Sequence, residues 1–364
     1  MTHFIQLHLL TTYAAANLNR DDTGRPKTLK FGGAERLRVS SQSLKRAFRT
    51  SDIFFQYVPT AIGIRSKFFG KVLRDELIRL GASQEEAEKM VVDSIGKSSN
   101  TDKGKNKLAT WDGGKNLTHS QIVSLSPEEL ALLKKIAESL LAGTEISRKD
   151  AVILTEKPRA VDIAMFGRML ADNPEFNVNA AVQVAHAFTT HRATVEDDFF
   201  TAVSDLLDPD DEHNAGAAHV DNQYYGAGTF YLYICIDANL LLANLAGDKA
   251  LAKNTLEALI KAAAKVSPKG KQNSFASRSM ASYILQETGE DTPRSLAAAF
   301  QKPVGGDGEN DLAAASVGRM VELRDGFARA YGLKPDHLIM DVTDPESATL
   351  QDLVHAAQAM IDRI

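Results

Sequence analysis

Four long polar side chains, Gln42, Lys45, Arg46 and Arg49, have the i, i+3, i+4, i+7 spacing that places residues on one face of an α-helix. An ordinary solvent-exposed helix face mixes acids with bases, whereas residues 41–49 contain no acid. Cationic side chains on one face can contact the phosphate groups of a nucleic acid. The pattern therefore favours a phosphate-binding helix over a merely solvated one.

Two adjacent carboxylates, Asp21 and Asp22, precede this helix and could hold Mg²⁺ for phosphodiester cleavage. Adjacent side chains usually point in different directions, however, and the spacing places no third ligand. Aspartate in a loop also commonly caps or turns the backbone. Structural acids are the favoured interpretation, and metal-dependent cleavage is the alternative.

The remaining candidates for chemistry have structural interpretations. The nine histidines are accompanied by no cysteine pair, and His186 and His191 are expected on opposite faces of a strand, which disfavours a zinc site. Gly32-Gly33 lacks a G-x-G-x-x-G or Walker pattern and predicts a tight turn. Cys235 lies in a predicted strand as a buried thiol. We expect no metal, no cofactor and no catalytic residue.

The charge of the chain is unevenly distributed. The formal net charge is −5, but residues 20–49 hold nine Lys and Arg against three Asp and Glu, a charge of +6. Residues 193–222 hold nine acids and no Lys or Arg, a charge of −9. These are either two solvated surface segments, or two surfaces that meet between copies in a head-to-tail array.

Length and composition are those of an ordinary globular protein. A chain of 364 residues, 44% of them apolar, can form one large domain with insertions or two to three domains. The single cysteine excludes an internal disulfide, the first residues lack the features of a secretory signal, and no apolar stretch approaches the roughly 20 residues of a membrane helix. We expect a cytoplasmic protein without a membrane span.

Helices and strands are mixed along the chain. Residues 4–10 alternate and predict the strand that opens the core sheet, and Ser40 or Ser41 is the predicted N-cap of the helix at 41–49. Further strands are predicted at 36–39, 182–190, 229–236, 280–286 and 337–342, and further helices at 64–95, 127–142, 249–265, 294–301, 312–330 and 349–362. Since the steady βαβ rhythm of a parallel sheet is missing, we predict an α+β fold, for which an RRM-like (ferredoxin-like) core is suitable.

Three segments read as loops. Residues 97–107 are rich in Ser, Asn, Lys and Gly and predict a mobile loop, and the polar run 213–228 predicts an exposed projecting loop. Lys269 and Lys271 flank a glycine in a third loop. These two lysines gain functional interest only if the fold brings them near the helix at 41–49.

Specific strings add a family resemblance. They are LNRDD at 18–22, FGG at 31–33 and RVSSQSLKRA at 38–47, with further similar segments at 161–164, 167–169, 185–187, 189–191, 200–203 and 271–272. In these strings the sequence resembles the CasC family, the backbone subunits of type I-E CRISPR Cascade complexes in the RAMP superfamily. The resemblance spans the chain and is strongest before residue 50.

The resemblance implies an architecture. Members of the family have an RRM-like palm, an inserted helical fingers region and a projecting thumb hairpin or loop. The corresponding predicted boundaries are 1–59 with 181–198 and 226–364 for the palm, 60–180 for the fingers and 199–225 for the thumb.

The resemblance also implies RNA-contacting residues. Guide-RNA phosphates are expected to contact Lys27, Ser40, Gln42, Lys45, Arg46 and Arg49, while Met169 and Thr201 match positions that wedge beside a displaced base. Arg20, Arg168, Lys269 and Lys271 complete the predicted RNA-binding set.

The implied function is binding rather than catalysis. The expected partners are the CRISPR guide RNA (crRNA), a target DNA strand that pairs with it, other copies of the chain arranged head to tail, and other Cascade subunits. The alternative is a metal-dependent, RNA-cleaving backbone subunit that uses Asp21 or Asp22.

Overall fold

The computed structural model describes residues 2–93, 117, 122–144, 153–171, 174–202, 219–305 and 311–364. The segments at 97–107 and Asp208–Glu212 that stand out in the sequence lie outside these residues. The chain divides into two compact units. The first comprises Met1–Phe54, Val184–Cys235 and Leu259–Met360, and the second comprises Phe55–Gln183, Ile236–Ala258 and Ile361–Ile364.

The described residues form eleven strands and eleven α-helices. The strands are β1 (Phe4–Ala16), β2 (Thr28–Phe31), β3 (Ala34–Val39), β4 (Ile64–Ser66), β5 (Val123–Leu125), β6 (Val182–Val184), β7 (Ala187–Thr189), β8 (Glu196–Ala202), β9 (His219–Asp237), β10 (Tyr283–Gly289) and β11 (Asp336–Asp341). The helices are α1 (Ser41–Arg49), α2 (Asp52–Tyr57), α3 (Phe69–Arg79), α4 (Gln84–Val91), α5 (Pro127–Leu141), α6 (Val161–Phe166), α7 (Ala238–Asn244), α8 (Lys249–Lys265), α9 (Gln272–Phe275), α10 (Leu312–Tyr331) and α11 (Leu350–Arg363). Short 3₁₀ helices lie at Pro174–Phe176 and Ala297–Phe300. The predicted α+β class is confirmed.

A large sheet organises the first unit. Its strand order is β11-β10-β1-β9-β7-β3-β2, and β8 also pairs with β9. The register of β1 against β10, from Phe4 with Gly289 to Leu10 with Tyr283, is antiparallel, as is that of β3 against β7. On one side of this sheet a core forms around Leu10, Phe188 and Tyr231, with α10 packed against it.

The hairpin between β2 and β3 positions the chain just before α1. Its two-residue turn is Gly32-Gly33, and both residues have positive φ, 57° and 77°. This is the conformation of a type I′ turn, which glycine adopts without steric cost. A Cβ on Gly32 would collide with the backbone carbonyl of Gln301, whereas a Cβ on Gly33 would meet nothing within 4 Å.

Gly32→Ala and Gly33→Ala form a matched pair that tests this packing. We expect Gly33→Ala to lower the free energy of unfolding by about 1–2 kcal/mol, since its only cost is the positive φ. Gly32→Ala carries the same backbone cost and the collision with Gln301, so its loss is larger. Urea denaturation of the two variants measures the difference, and equal losses would show that Gly32 does not touch Gln301.

A buried histidine links three strands of the sheet. The Nδ1 of His8 lies 2.9 Å from the hydroxyl of Tyr231, and its Nε2 lies 3.6 Å from a carboxylate oxygen of Glu287. Burial lowers the pKa of His8 below 6.5, although Glu287 acts in the opposite direction. Near pH 6.5 the imidazole of His8 therefore binds a proton in the unfolded chain but not in the folded chain.

The pH dependence of stability follows from this sign. Since the folded pKa is depressed, the contribution of His8 is complete above about pH 6.5 and is lost as the pH falls below it. We expect the free energy of unfolding to fall between about pH 7.5 and 5, and to fall less steeply in His8→Gln, by up to about 1.4 kcal/mol per pH unit. Urea denaturation across this range measures both slopes. Parallel slopes would mean that His8 carries its proton when folded.

The second unit has a helical core of its own. Helices α3, α4 and α5 surround Leu73, Leu77 and Leu133, which are at most 2% exposed. Helices α4 and α5 are each capped by a serine. The serine hydroxyl accepts a hydrogen bond from the backbone N–H of the third helical residue, a glutamate, and the carboxylate of that glutamate accepts one from the backbone N–H of the serine. The strands β4 and β5 form a separate two-stranded sheet in this unit.

Several predicted elements differ from the structure. The single strand predicted at 182–190 is two strands, with a break at Ala185 and His186. The helix predicted at 64–95 is strand β4 followed by two helices, because Gly81 has a φ of 113° and Ser83 caps a new helix. Residues 219–228, predicted as loop, belong to β9. Predictions at 41–49 and 127–142 agree with α1 and α5. The palm, fingers and thumb boundaries stay predictions.

Candidate nucleic-acid interface

Helix α1 has the amphipathic pattern that its sequence predicts. Leu44, Ala47 and Phe48 are buried, and no acid occurs in the helix. The hydroxyl of Ser40 accepts from the backbone N–H of Ser43 at 3.2 Å, so Ser40 is the N-cap. Ser40 is itself 8% exposed, which makes its first role structural.

The preceding loop is fastened to this cap. The side-chain oxygen of Asn19 accepts from the backbone N–H of Ser40 at 2.9 Å, and the Lys27 N–H donates to the Asn19 carbonyl at 2.8 Å. Inside the loop, one oxygen of Asp21 accepts from the hydroxyl and backbone N–H of Thr23 and from the backbone N–H of Arg25. The Thr23 hydroxyl is the main cause that lowers the pKa of Asp21. Asp21 therefore orders the loop that carries Arg20 and Lys27.

The polar face of α1 is accessible but partly sheltered. Gln42 and Arg46 are exposed, while Lys45 and Arg49 are half-buried. Burial lowers the pKa of Lys45. A cation that has already lost part of its hydration gives up less water when it binds an anion, which favours phosphate contact.

A histidine completes the N-terminal end of this surface. The Nδ1 of His186 lies 3.2 Å from both the Ser41 backbone nitrogen and an Arg38 guanidinium nitrogen. Burial, followed by the charges of Arg38 and Lys27, lowers the pKa of His186. A neutral imidazole accepts a hydrogen bond at this nitrogen and holds Arg38 beside the start of α1.

The loop at Lys269–Lys271 lies against the same segment. A Cβ on Gly270 would collide with the carbonyl oxygens of Leu18 and Asn17, so only glycine permits this approach. Lys269 and Lys271 are both exposed. From the sequence, these lysines are of functional interest only if the fold brings them near α1. The fold does so, because their loop lies against Leu18, and the next residue, Asn19, is hydrogen-bonded to Ser40, the N-cap of α1.

A cleft lies between this loop and the segment that follows α1. It has a volume of about 810 Å³ and is lined by Ser51, Asp52 and Ile53 on one side and by residues between Lys265 and Met280 on the other. Lys265, Lys269, Lys271 and Arg278 all line it. Lysines that are far from α1 in the chain thus share one surface with the segment that follows that helix.

Arg168 has a different environment from the other predicted RNA-binding residues. It is 5% exposed and belongs to the second unit. Its guanidinium donates to both carboxylate oxygens of Glu129 at 2.9 Å and to the carbonyls of Phe176, Thr155 and Ser124. The expectation that Arg168 contacts RNA stays a prediction. The structure shows that this buried guanidinium connects several stretches of the second unit.

Met169 and Thr201, the predicted wedge residues, are both exposed. Met169, in the second unit, is 83% exposed. Thr201, in the first unit, lies on β8 and pairs with Val220 of β9 in an antiparallel ribbon. Nearly every residue of β8 is exposed, including Phe199 at 65%. A two-stranded ribbon with both faces open is marginally stable alone and gains stability from a covering surface.

The structure changes which basic residues are candidates for RNA binding. Arg36, counted in the basic block, is buried and donates to the carbonyls of Thr189, Thr190 and Phe300, so it is structural. Arg38 and His186 lie at the start of α1, and Lys265 and Arg278 line the cleft, although the sequence did not select them as RNA-binding residues. Lys265 and Arg278 flank the Lys269–Lys271 loop in the chain, which is the signal that could have found them.

Two further observations bear on the class of site. Among the described residues, no group of three or more His, Cys, Asp or Glu side chains is placed to hold a metal ion. Within the same part of the chain, no helix is long and apolar enough to cross a membrane.

The fold and this basic surface define an α+β protein that is similar over its whole length to chains of CRISPR RNA-guided surveillance complexes. One such chain, from a "CRISPR RNA-guided surveillance complex, pre-nicking", is 28% identical with a TM-score of 0.81, and the match covers 99% of both chains. A second, from a "CRISPR RNA-guided surveillance complex", is 22% identical with a TM-score of 0.71, covers 99% of this chain and 100% of that one, and shows the fold.

The family follows from the sequence itself. The model of the CT1975-like protein family matches residues 5–364, and the chain belongs to this family. No curated protein matches the chain.

Proposed function

We propose that the chain is the guide-RNA-binding backbone subunit of a type I-E CRISPR surveillance (Cascade) complex. The observation that carries the proposal is that direct contacts join three segments with basic side chains: the acid-free helix α1, the loop anchored at Asn19 and the Lys269–Lys271 loop. The 28% identical chain, which comes from an RNA-guided surveillance complex, supports the same assignment.

Contact through phosphates suits a subunit that must accept any guide. Side chains such as Lys45, Arg46 and Arg49 neutralise phosphate charge without reading bases. The bases then remain free to pair with a target DNA strand, and pairing supplies the sequence specificity. Arg20, Lys27, Gln42 and Lys271 extend the track, and Met169 and Thr201 wedge beside displaced bases.

Head-to-tail assembly along the RNA is the second part of the proposal. The ribbon of β8 and β9 exposes Glu196, Asp197, Asp198 and Asp221, whereas α1 exposes only neutral and basic side chains. Opposite charges on these two elements favour a heterologous contact that repeats from copy to copy. Other subunits of the complex would bind at the two ends of the array.

Copurifying RNA is the direct test. The full chain, expressed with a CRISPR array and the remaining subunits, should purify with RNA of one defined length, and Lys45→Ala with Arg49→Ala should purify with much less. RNA-free assemblies, or bound RNA of random length, would reject a guide-binding role.

We also propose that the chain does not catalyse RNA cleavage. The bonds from Thr23 and Arg25 already occupy one oxygen of Asp21. An RNA complementary to the guide should remain intact with Mg²⁺ in the wild type, in Asp21→Ala and in Asp22→Ala. Cleavage by the wild type that either substitution abolishes would establish the metal-dependent alternative instead.

A further inference from the structure

The ribbon of β8 and β9 is attached to the strand that leads into α1. The backbone N–H of Ala193, three residues before β8, donates to the carbonyl of Glu35 in β3 at 3.0 Å. On the other side of the ribbon, Gly226 of β9 packs against Leu37 of β3, so closely that a Cβ would lie 2.7 Å from the nearest methyl carbon. The root of the ribbon, residues 193–196 and 224–226, is therefore fixed on β3.

A buried amide joins this root to the loop anchored at Asn19. Asn17, which is 1% exposed, donates from its side-chain nitrogen to the carbonyl of Tyr224 at 2.7 Å and to the carbonyl of Gly24 at 3.0 Å. Tyr224 lies on β9 and Gly24 lies inside the loop. One side chain thus holds the loop and the ribbon side by side.

The ring of Tyr224 makes a second connection to the same loop. The guanidinium carbon of Arg25 lies 4.5 Å from the centre of this ring, which is the geometry of a cation–π contact. The backbone N–H and carbonyl of Arg25 are both bonded to Asp21, at 3.0 and 2.9 Å. The position of the Tyr224 ring is therefore transmitted to the loop that carries Arg20 and Lys27.

Tyr225 connects the ribbon to the other basic loop. Successive side chains on a strand point to opposite faces, so the two tyrosines reach different neighbours. The ring centres of Tyr225 and Phe275 lie 5.8 Å apart, and Phe275 belongs to α9, which begins directly after Lys271. The hydroxyl of Tyr225 also donates to Glu196 of β8 at 3.1 Å. Tyr225 therefore links both strands of the ribbon to the Lys269–Lys271 loop.

We propose that Tyr224 and Tyr225 are positioning residues for RNA binding, which fix the two basic loops to the root of the ribbon through Arg25 and Phe275. The inference rests on the proposed RNA-binding function. Loops that are held in place before RNA arrives lose less conformational entropy on binding. Since the ribbon and the loops are fastened together, a contact that orders the ribbon also favours the RNA-binding arrangement of the loops, and the reverse holds equally.

The test compares two variants of Tyr224 in the full chain, with a fluorescent single-stranded RNA and anisotropy as the measurement. Tyr224→Leu removes the ring and should weaken binding about two- to fivefold, the equivalent of one exposed cation–π contact. Tyr224→Phe keeps the ring and should bind like the wild type. Tyr331→Leu is the matched control, because Tyr331 is 74% exposed on α10 and also has a ring neighbour, Phe327. It should leave RNA affinity unchanged.

Double-mutant cycles separate positioning from direct contact with RNA. If Tyr224 acts through Arg25, Tyr224→Leu with Arg25→Ala should bind no more weakly than the weaker single variant, and the same applies to Tyr225→Leu with Phe275→Leu. The salt slope should stay at its wild-type value in all of them, since the loops still reach the same phosphates at greater cost. Effects that add, or a slope reduced by about 0.7 in Arg25→Ala, would place these side chains on the RNA and overturn the proposal.

Hydrogen exchange without RNA distinguishes failure of the positioning role from failure of the RNA-binding function. The backbone N–H groups of Arg25 and Lys27, bonded to Asp21 and Asn19, should exchange about two- to fivefold faster in Tyr224→Leu than in Tyr224→Phe. If they do so but the wild type never binds RNA, the loop positioning stands and the guide-RNA function is rejected. If the wild type binds RNA and Tyr224→Leu keeps its affinity, the positioning role alone is rejected.

Discussion

Replacing Lys45 and Arg49 together by alanine is expected to weaken RNA binding by about 3 kcal/mol, or roughly 100-fold, at low salt, since two charged hydrogen-bond donors are removed. The dependence on salt should also flatten. For a single strand, each lost phosphate contact reduces the slope of log K against log salt by about 0.7, so the double variant should lose about 1.4. Filter binding or fluorescence anisotropy over a range of salt concentrations measures both quantities.

The fold should tolerate this change. Both residues lie on the partly exposed face of α1, opposite Leu44, Ala47 and Phe48, and alanine has the highest helix propensity. The melting temperature of the double variant should therefore stay close to that of the wild type. Lys302→Ala with Lys334→Ala is the matched control for net charge, since both lysines are exposed and lie outside α1. An unchanged salt slope in Lys45→Ala with Arg49→Ala would remove α1 from the RNA interface.

The sequence predicts those elements whose structure depends on interactions between residues close together in the chain. Helix α1 depends on a serine cap three residues from its partner and on an apolar stripe at helical spacing, so the pattern predicts both its bounds and its exposed face. The turn at Gly32-Gly33 is local in the same sense. Such features are visible in a window of ten residues.

The sequence does not predict the features that depend on contacts between residues far apart in the chain. The side chain of Arg36 looks like any other base in a basic block, and only the carbonyls of Thr189 and Phe300 show that it is structural. His186 lies at a break between two strands and meets Ser41 through a contact that no short pattern encodes. The cleft likewise needs Asp52 and Arg278 on one surface, which only the tertiary fold brings about.

Arg168 is the most consequential of these cases, because the family resemblance and the structure assign it different roles. Its side chain and that of Glu129 are at most 1% exposed. Glu129 also accepts from the backbone N–H groups of Ser126 and Thr155, at 2.8 and 2.7 Å. The pair therefore connects the start of α5 to two other stretches of the second unit. We expect Arg168→Ala to destabilise the chain by about 3–5 kcal/mol, because it leaves a carboxylate buried without its partner.

Stability and RNA binding distinguish the two roles of Arg168. If it is structural, Arg168→Ala lowers the melting temperature steeply, while the RNA salt slope measured well below that temperature keeps its wild-type value. Met169→Ala is the control at the adjacent position, and since Met169 is 83% exposed its stability should change by less than about 0.5 kcal/mol. Arg168→Met combined with Glu129→Gln should cost less than the sum of the two single changes, because the neutral amide leaves no buried charge unpaired. A reduced salt slope with unchanged melting would instead place the guanidinium of Arg168 on the RNA.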